Sequence, residues 1–444
     1  MNFTESFVSY IRSFCDRDFS EEEIHQAKRC IIDWLAVSEA GAFSLGNRLD
    51  SLKALSSKGK CSCFAALDRV DLFTAAFLNG FVAHEMELDD GHRRGMLHLE
   101  APIISSLIAV SQHESLKYDD FIKGMIAGYQ TMVKLASLIQ PEHKLKGFHA
   151  TGTCGAIGVA SAVAVALGFS ESEHVNAMGA ATTRAAGLLA ALDSPSELKP
   201  YNIAGAIEVG IRSAYMAKAG FMGPNDALDG KRGFMKVYMP DKEIKTDSMD
   251  NVSEILRIYF KPYVSCRHCH APAEAALELK RKNRIDWKDI KDIEVETYRL
   301  AIGGHDSNCI ESVAEAKMSI PYCTAVSLFQ GSCGMDSFTE EMVADDNVKA
   351  LIRKVSVSED EQLTKATPDK RGARVVVTMN SGHRFVETVE NPLGEPENPM
   401  SDAMIESKYN ELMEFAGVEQ SRRNMLKDLV WNLEYGFDEL LDIL

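Results

Sequence analysis

Small residues recur at helical spacing through the first 260 positions, and this feature limits the fold more than any other. Ala76, Gly80 and Ala83 form one stripe; Ala156, Ala160 and Ala164 form another. A stripe of small side chains lets two helix backbones approach closely, which predicts a tightly packed helical bundle. Segments such as EEEIHQAKRCIIDWLAVSEAG, YDDFIKGMIAGYQTMVKLASLI and SEHVNAMGAATTRAAGLLAAL share helical periodicity and lack the alternating β-branched runs of strands. MNFTESFVSYIRSFCDRDF reads as an amphipathic helix with Phe3, Phe7, Ile11 and Phe14 on one face.

The pattern changes after FKPYVSC. DIEVETYRLAI and RVVVTMNSGHRFVETVE alternate apolar and polar residues, and Asn380-Ser381-Gly382 marks a hairpin turn in the second. Helices are expected near Ala271 to Lys282 and Tyr322 to Phe329, giving the order helix, strand, helix, hairpin. NPLGEPENPMSD reads as a linker, and the last ~40 residues return to helix. The expected architecture is mainly α. Residues 1–264 and 393–444 form one large all-helical domain, and 265–392 form a smaller inserted α+β domain.

A net charge of −17 across 444 residues argues against nucleic acid and anionic membranes as partners. No apolar run reaches the ~18–20 residues that span a bilayer. Ten cysteines without framework spacing and the absence of a secretory signal lead us to expect reduced thiols in a cytoplasm.

The sharpest functional signal lies where helices begin. His98 precedes APIISSLIAV, His149 precedes an alanine-rich helix, and His270 stands two residues before Pro272. Lys199 precedes Pro200, and Tyr322 follows Pro321. Proline favours the first helical turn. Free N–H groups and the dipole attract anions there and hold a nearby histidine toward its neutral, basic form. If these ends converge, they make a carboxylate pocket with proton-transfer groups beside it. HEMELDDGHRRGMLHLEAP adds His84 and Glu87, expected on helical stripes pointing into the bundle, and then Asp89 and Asp90 where that helix stops. Arg184, among small residues, is read equally as a substrate clamp or a buried ion-pair member.

Other motifs are set aside. CRHCH (Cys266 to His270) lacks a second ligand pair, so no metal is expected. GTCGAIG follows no strand and lacks nucleotide-loop signatures, and Cys154 within it has no base at hand in sequence.

Together, HEMELDD…HLEAP, GFHATGTCGAIGVASAVAVALGF, LKPYNIAGAI…GFMGP, FKPYVSCRHCHAPAEAALEL and SIPYCTAV resemble the MmgE/PrpD family over essentially the full chain. That family includes 2-methylcitrate dehydratase, cis-aconitate decarboxylase and iminodisuccinate epimerase. The resemblance implies a helical domain built from both chain ends, an inserted lid, a homodimer, and an active site between helical domain and lid, with no metal or organic cofactor. It carries active-site roles onto Glu87, His98, His149, Lys199, His270 and Tyr322, with Asp89 and Asp90 at the family's paired acidic positions. Glu87 stands where Asp is frequent, Gly91 replaces a common Thr, YNIAG replaces LHPG-like residues, and Arg184 replaces a neutral polar residue.

The expected function is a cofactor-independent hydro-lyase acting on a small di- or tricarboxylate. His98, His149, His270, Tyr322, Asp89 and Asp90 are the expected catalytic groups. Glu87, Lys199, Arg184, His84 and Arg267 are the expected substrate-binding groups. An epimerase or a decarboxylase is the alternative within the family; a non-catalytic carboxylate binder and a zinc hydrolase are the alternatives outside it.

Overall fold

The computed structural model describes residues 2–65, 68–192, 196–242 and 249–444. The chain divides into two compact units. Residues 1–190, 198–258 and 401–444 make the first; residues 191–197 and 259–400 make the second.

Among its described residues the first unit is helical, apart from the short strand β1 (Lys58–Cys61). Its helices include α1 (Phe3–Cys15), α2 (Glu21–Leu45), α3 (Leu72–Glu85), α4 (Glu100–Glu114) and α5 (Tyr118–Ile139). They are followed by α6 (Ala150–Ala166), α7 (Glu171–Thr182), α8 (Lys199–Lys218) and α11 (Asp402–Phe415). α1, α2 and α7 each open with a capping box, at Asn2, Ser20 and Ser170. Phe7, Ile11 and Phe14 of α1 are buried as their spacing predicts, and Phe3 is half-buried at its end.

α6 is the centre of the bundle, and every residue in it except Val165 is buried. It packs against α4, α5, α7 and α8. The small-residue stripes work as expected. A Cβ on Gly210 of α8 would sit 2.5 Å from Val159 Cβ and 2.8 Å from the Ala156 carbonyl oxygen. Gly158, within GTCGAIG, leaves room for Met132, whose Cγ would lie 2.1 Å from an added Cβ. These glycines serve helix packing. Burial also pushes the Cys154 thiol up to about 12, which removes it as a nucleophile near neutral pH.

The segment SEHVNAMGAATTRAAGLLAAL is not one helix. α7 stops at Thr182, and a turn leads to a short 3-10 stretch at Leu189–Leu192. The break is fixed by backbone bonds, since Gly187 accepts from the His149 N–H (3.0 Å) and Leu189 donates to the Gly147 carbonyl (2.7 Å). Arg184 therefore lies in a turn past the helix end and is exposed. The buried ion-pair reading of Arg184 is wrong.

The second unit holds a four-stranded sheet in the order β3-β2-β4-β5. Its strands are β2 (Ile290–Thr297), β3 (Val355–Glu359), β4 (Ala373–Met379) and β5 (Arg384–Val389). β4 and β5 form the expected hairpin, turning at Gly382, whose φ of 86° suits glycine. β3 was missed because it is short and polar (VSVSE); it pairs parallel with β2 at the sheet edge. Helices α9 (His270–Asn283) and α10 (Ile320–Gln330) pack on this sheet. None of the ten cysteines is in a disulfide. No helix among the described residues is long and apolar enough to cross a membrane.

Candidate active site

All five singled-out groups lie at helix starts. His98 lies two residues before α4, His149 caps α6, Lys199 opens α8, His270 opens α9 and Tyr322 is the third residue of α10.

Within the first unit, three of these ends converge on the loop after α3. That helix ends at Glu85, two residues earlier than its apolar pattern suggests. Glu87 does not continue the helical stripe. It has φ 54°, and this left-handed turn aims its carboxylate at Lys199 Nζ, in a close ion pair, and at His84 Nε2, 3.3 Å away. A non-glycine residue in that region costs energy and is kept where the surroundings demand it. His84 is fully buried, as expected for the helix end.

Asp89 Oδ2 lies 2.7 Å from His84 Nδ1 and 3.4 Å from His98 Nδ1. Burial opposes the charged form of His84, but Asp89 and Glu87 outweigh it and raise its pKa. The two carboxylates thus favour the imidazolium form of His84. His98 Nδ1 lies 2.7 Å from the Asp90 carbonyl oxygen. A carbonyl only accepts, so Nδ1 of His98 carries the hydrogen and Nε2 holds the lone pair.

His149 is different. Burial first, then the charges of Lys199, His84 and His98, push it well below the usual histidine value, so it is neutral. Its Nδ1 is 3.3 Å from Asn202 Nδ2, and that amide also donates to the Leu188 carbonyl (3.1 Å). The second bond identifies the nitrogen end of the amide. Nδ1 of His149 therefore accepts, and Nε2 carries the hydrogen.

Asp90 has another role. Its Oδ1 accepts from the Leu99 and Glu100 backbone N–H groups, both at 2.9 Å, and its Oδ2 accepts from the Tyr129 hydroxyl at 3.0 Å. It caps α4 from a distance. Burial raises it above the usual carboxylate range against these three donors, and Asp89 adds to the rise. Asp90→Ala should cost about 1–2 kcal/mol of stability, the usual effect of a lost helix cap. Asp90→Asn, which keeps an acceptor oxygen, should recover most of it. Urea unfolding of the two variants checks this.

Sequence reasoning missed the layer beneath. Lys408 of α11 donates to the Leu88 carbonyl and pairs with Asp33 of α2, both at 2.7 Å. The C-terminal segment thus holds the site loop from behind. Glu100 is fully buried, and burial, with Asp33 and Asp90 nearby, raises its pKa well above normal. The available signal was Asp33 itself, a lone acid inside the apolar run CIIDWLAV.

The remaining candidates belong to the second unit. Arg267 is buried, with Glu395 at 3.0 Å and the Pro392 and Leu393 carbonyls also bound. Its Nη1 lies 3.0 Å from His270 Nδ1, and His270 Nε2 lies 3.1 Å from the Ser265 carbonyl oxygen. His270 is therefore held as the Nε2–H tautomer. The Tyr322 hydroxyl donates to the Ser337 carbonyl at 2.6 Å, and burial raises its pKa.

Comparison with known proteins gives this arrangement a family. The description of the MmgE/PrpD N-terminal domain matches residues 5–247, and that of the MmgE/PrpD C-terminal domain matches residues 263–434. A cis-aconitate decarboxylase of Aspergillus terreus (strain NIH 2624 / FGSC A1156) is 27% identical over 99% of this chain and 94% of its own length. The cis-aconitate decarboxylase of Mus musculus is 24% identical over 91% of this chain and 86% of its own. A probable 2-methylcitrate dehydratase of Saccharomyces cerevisiae is 27% identical over 54% of this chain and 49% of its own. These relatives are lyases acting on small carboxylates, and the chain belongs to the MmgE/PrpD family.

Proposed function

We propose that this protein is a lyase for a small di- or tricarboxylate, with proton transfer next to a substrate carboxylate as its central step. One observation carries the proposal. A neutral His149 and a cationic His84 share one site with Lys199 and the Asp89–His98 pair.

In this reading Lys199 and the His84 imidazolium hold substrate carboxylates and the negative charge that develops on proton removal. His98 is the base, because its hydrogen-bonded Nδ1 leaves Nε2 as the acceptor, and Asp89 stabilises the imidazolium formed. The His84 imidazolium protonates the leaving hydroxyl, and His149 Nε2–H hydrogen-bonds that oxygen. A base and a separate acid are what loss of water requires, which supports a hydro-lyase. Decarboxylation is the second reading, supported by similarity to cis-aconitate decarboxylases over 99% of the chain where the dehydratase similarities cover 54% and 63% of it. It would use the same donor to protonate the carbon skeleton as CO2 leaves. We assign His270 and Tyr322 supporting roles, with Arg267 orienting His270.

Proton NMR in D2O with methylcitrate, citrate, cis-aconitate, malate and aspartate-derived imines tests the proposal. Water loss appears as a new vinylic signal, decarboxylation as the proton signals of a product one carboxylate shorter, and epimerisation as deuterium exchange without net conversion. No exchange or conversion with any acid would reject the proposal in favour of a binding protein. In the productive case, Lys199→Met should raise KM about 10–100-fold, the worth of one charge-assisted hydrogen bond. An unchanged KM would remove Lys199 from substrate binding.

A further inference from the structure

The second unit contains a cluster that the proposed reaction does not use. Cys266, His268 and His305 each bring one ligand atom to a common point, and these atoms all lie within 4.8 Å of one another. We infer that Cys266, His268 and His305 form a binding site for a divalent, borderline-soft metal ion such as zinc.

The side chains are oriented as metal ligands are. His305 Nδ1 lies 2.8 Å from the Met318 carbonyl oxygen, so Nδ1 carries the hydrogen. The other nitrogen, Nε2, has the lone pair, and it faces Cys266 Sγ at 4.0 Å. His268 Nδ1 is engaged by the Tyr298 hydroxyl at 2.6 Å, which fixes the orientation of the ring. Binding one ring nitrogen to a fixed polar partner while the other meets the metal is the usual outer-shell arrangement for ligating histidines. The two imidazoles lie close together, 4.8 Å between centroids and tilted by 32°.

The backbone sets the positions of Cys266 and His305. Cys266 N–H donates to the Lys317 carbonyl (2.8 Å), and the His305 carbonyl accepts from Ile320 N–H (2.8 Å). Both histidines are buried, while Cys266 is part-exposed, which gives an ion a way in. One thiolate and two imidazoles are the donor set that suits zinc, and they leave a fourth tetrahedral position for water. The bound ion would tie the turn at His305 to the segment that leads into α9. Sequence reading dismissed CRHCH because it looked for a second close pair; the third ligand is a single histidine 37 residues further on.

The test uses the full-length protein, stripped of metal with a chelator and reloaded with zinc alone. Competition with a chromophoric chelator should give one tight zinc per chain. Cys266→Ser and His305→Gln should each weaken it at least tenfold. X-ray absorption at the zinc edge should show one sulfur near ~2.3 Å and imidazole nitrogens near ~2.0–2.1 Å. That spectrum is read on the unaltered protein, so it decides the matter even if a variant fails to fold. Absence of tight zinc would overturn the inference. So would a sulfur-free shell lost in His84→Ala, which would move the ion to the His84, Asp89 and His98 group of the first unit.

Discussion

His149→Ala should lower turnover by about 10²–10³-fold, the usual worth of one preorganised hydrogen-bond donor. The expectation rests on its environment as well as its position. His149 is buried at the start of α6, close to two other histidines and to Lys199, and burial first, then those charges, keep it from taking a proton. It is thus neutral across the working pH range and should not contribute the acid limb of the pH–rate profile. Asn202 fixes which nitrogen carries its hydrogen. Asn202→Ala should therefore lower kcat while leaving KM nearly unchanged, because it disturbs the tautomer without removing a substrate contact. Steady-state rates from pH 5 to 9 for the wild type and both variants check these statements. An acid limb that disappears only in His149→Ala would mean that His149 titrates during turnover, and would make it the base.

Much of this site was legible because helix starts have a chemical signature. Proline in the first turn marks four of the five, a following apolar or alanine-rich run marks all of them, and histidine, lysine or tyrosine beside such a mark is conspicuous. Convergence was not legible, because it depends on how α3, α4, α6 and α8 pack, and small-residue stripes say only that they pack closely. Glu87 illustrates the limit. Its apolar neighbours continue a helical pattern, yet the chain leaves the helix at Glu85 and turns left-handed, since pairing with Lys199 and His84 outweighs another half-turn of helix. Arg184 fails for the opposite reason. Its surroundings look helical, but bonds from Gly187 and Leu189 to the start of α6 pull the segment into a turn. Asp33, Tyr129 and Lys408 lie far apart in sequence and reveal their connection only through the loop they support.

His174 sets a sharp acid limit on stability. It is fully buried in α7, and burial lowers its pKa to about 3, with Arg12 adding to the effect. Ser161 Oγ, which accepts from Thr131 (2.8 Å), meets His174 Nε2 at 2.9 Å. The serine hydrogen therefore points to Nε2, and the imidazole is held neutral. In the unfolded chain a histidine takes up a proton near pH 6.5. The stability tied to a neutral His174 is thus complete above about pH 6.5 and declines as pH falls toward the folded value of about 3. Between pH 7.5 and 4.5 the loss amounts to about 3 kcal/mol for a group that stays unprotonated when folded. The raised carboxyls Glu100 and Asp90 act in the opposite direction, because the folded protein binds their protons first on acidification. The whole-protein pH curve therefore mixes both signs, and a single variant separates them. His174→Gln keeps an acceptor for Ser161 and removes the titration. Relative to wild type, its urea-unfolding free energy should improve by about 3 kcal/mol on going from pH 7.5 to 4.5. A difference between variant and wild type that does not change with pH would mean that His174 takes up its proton in the folded protein, and that helix α7 opens to admit it.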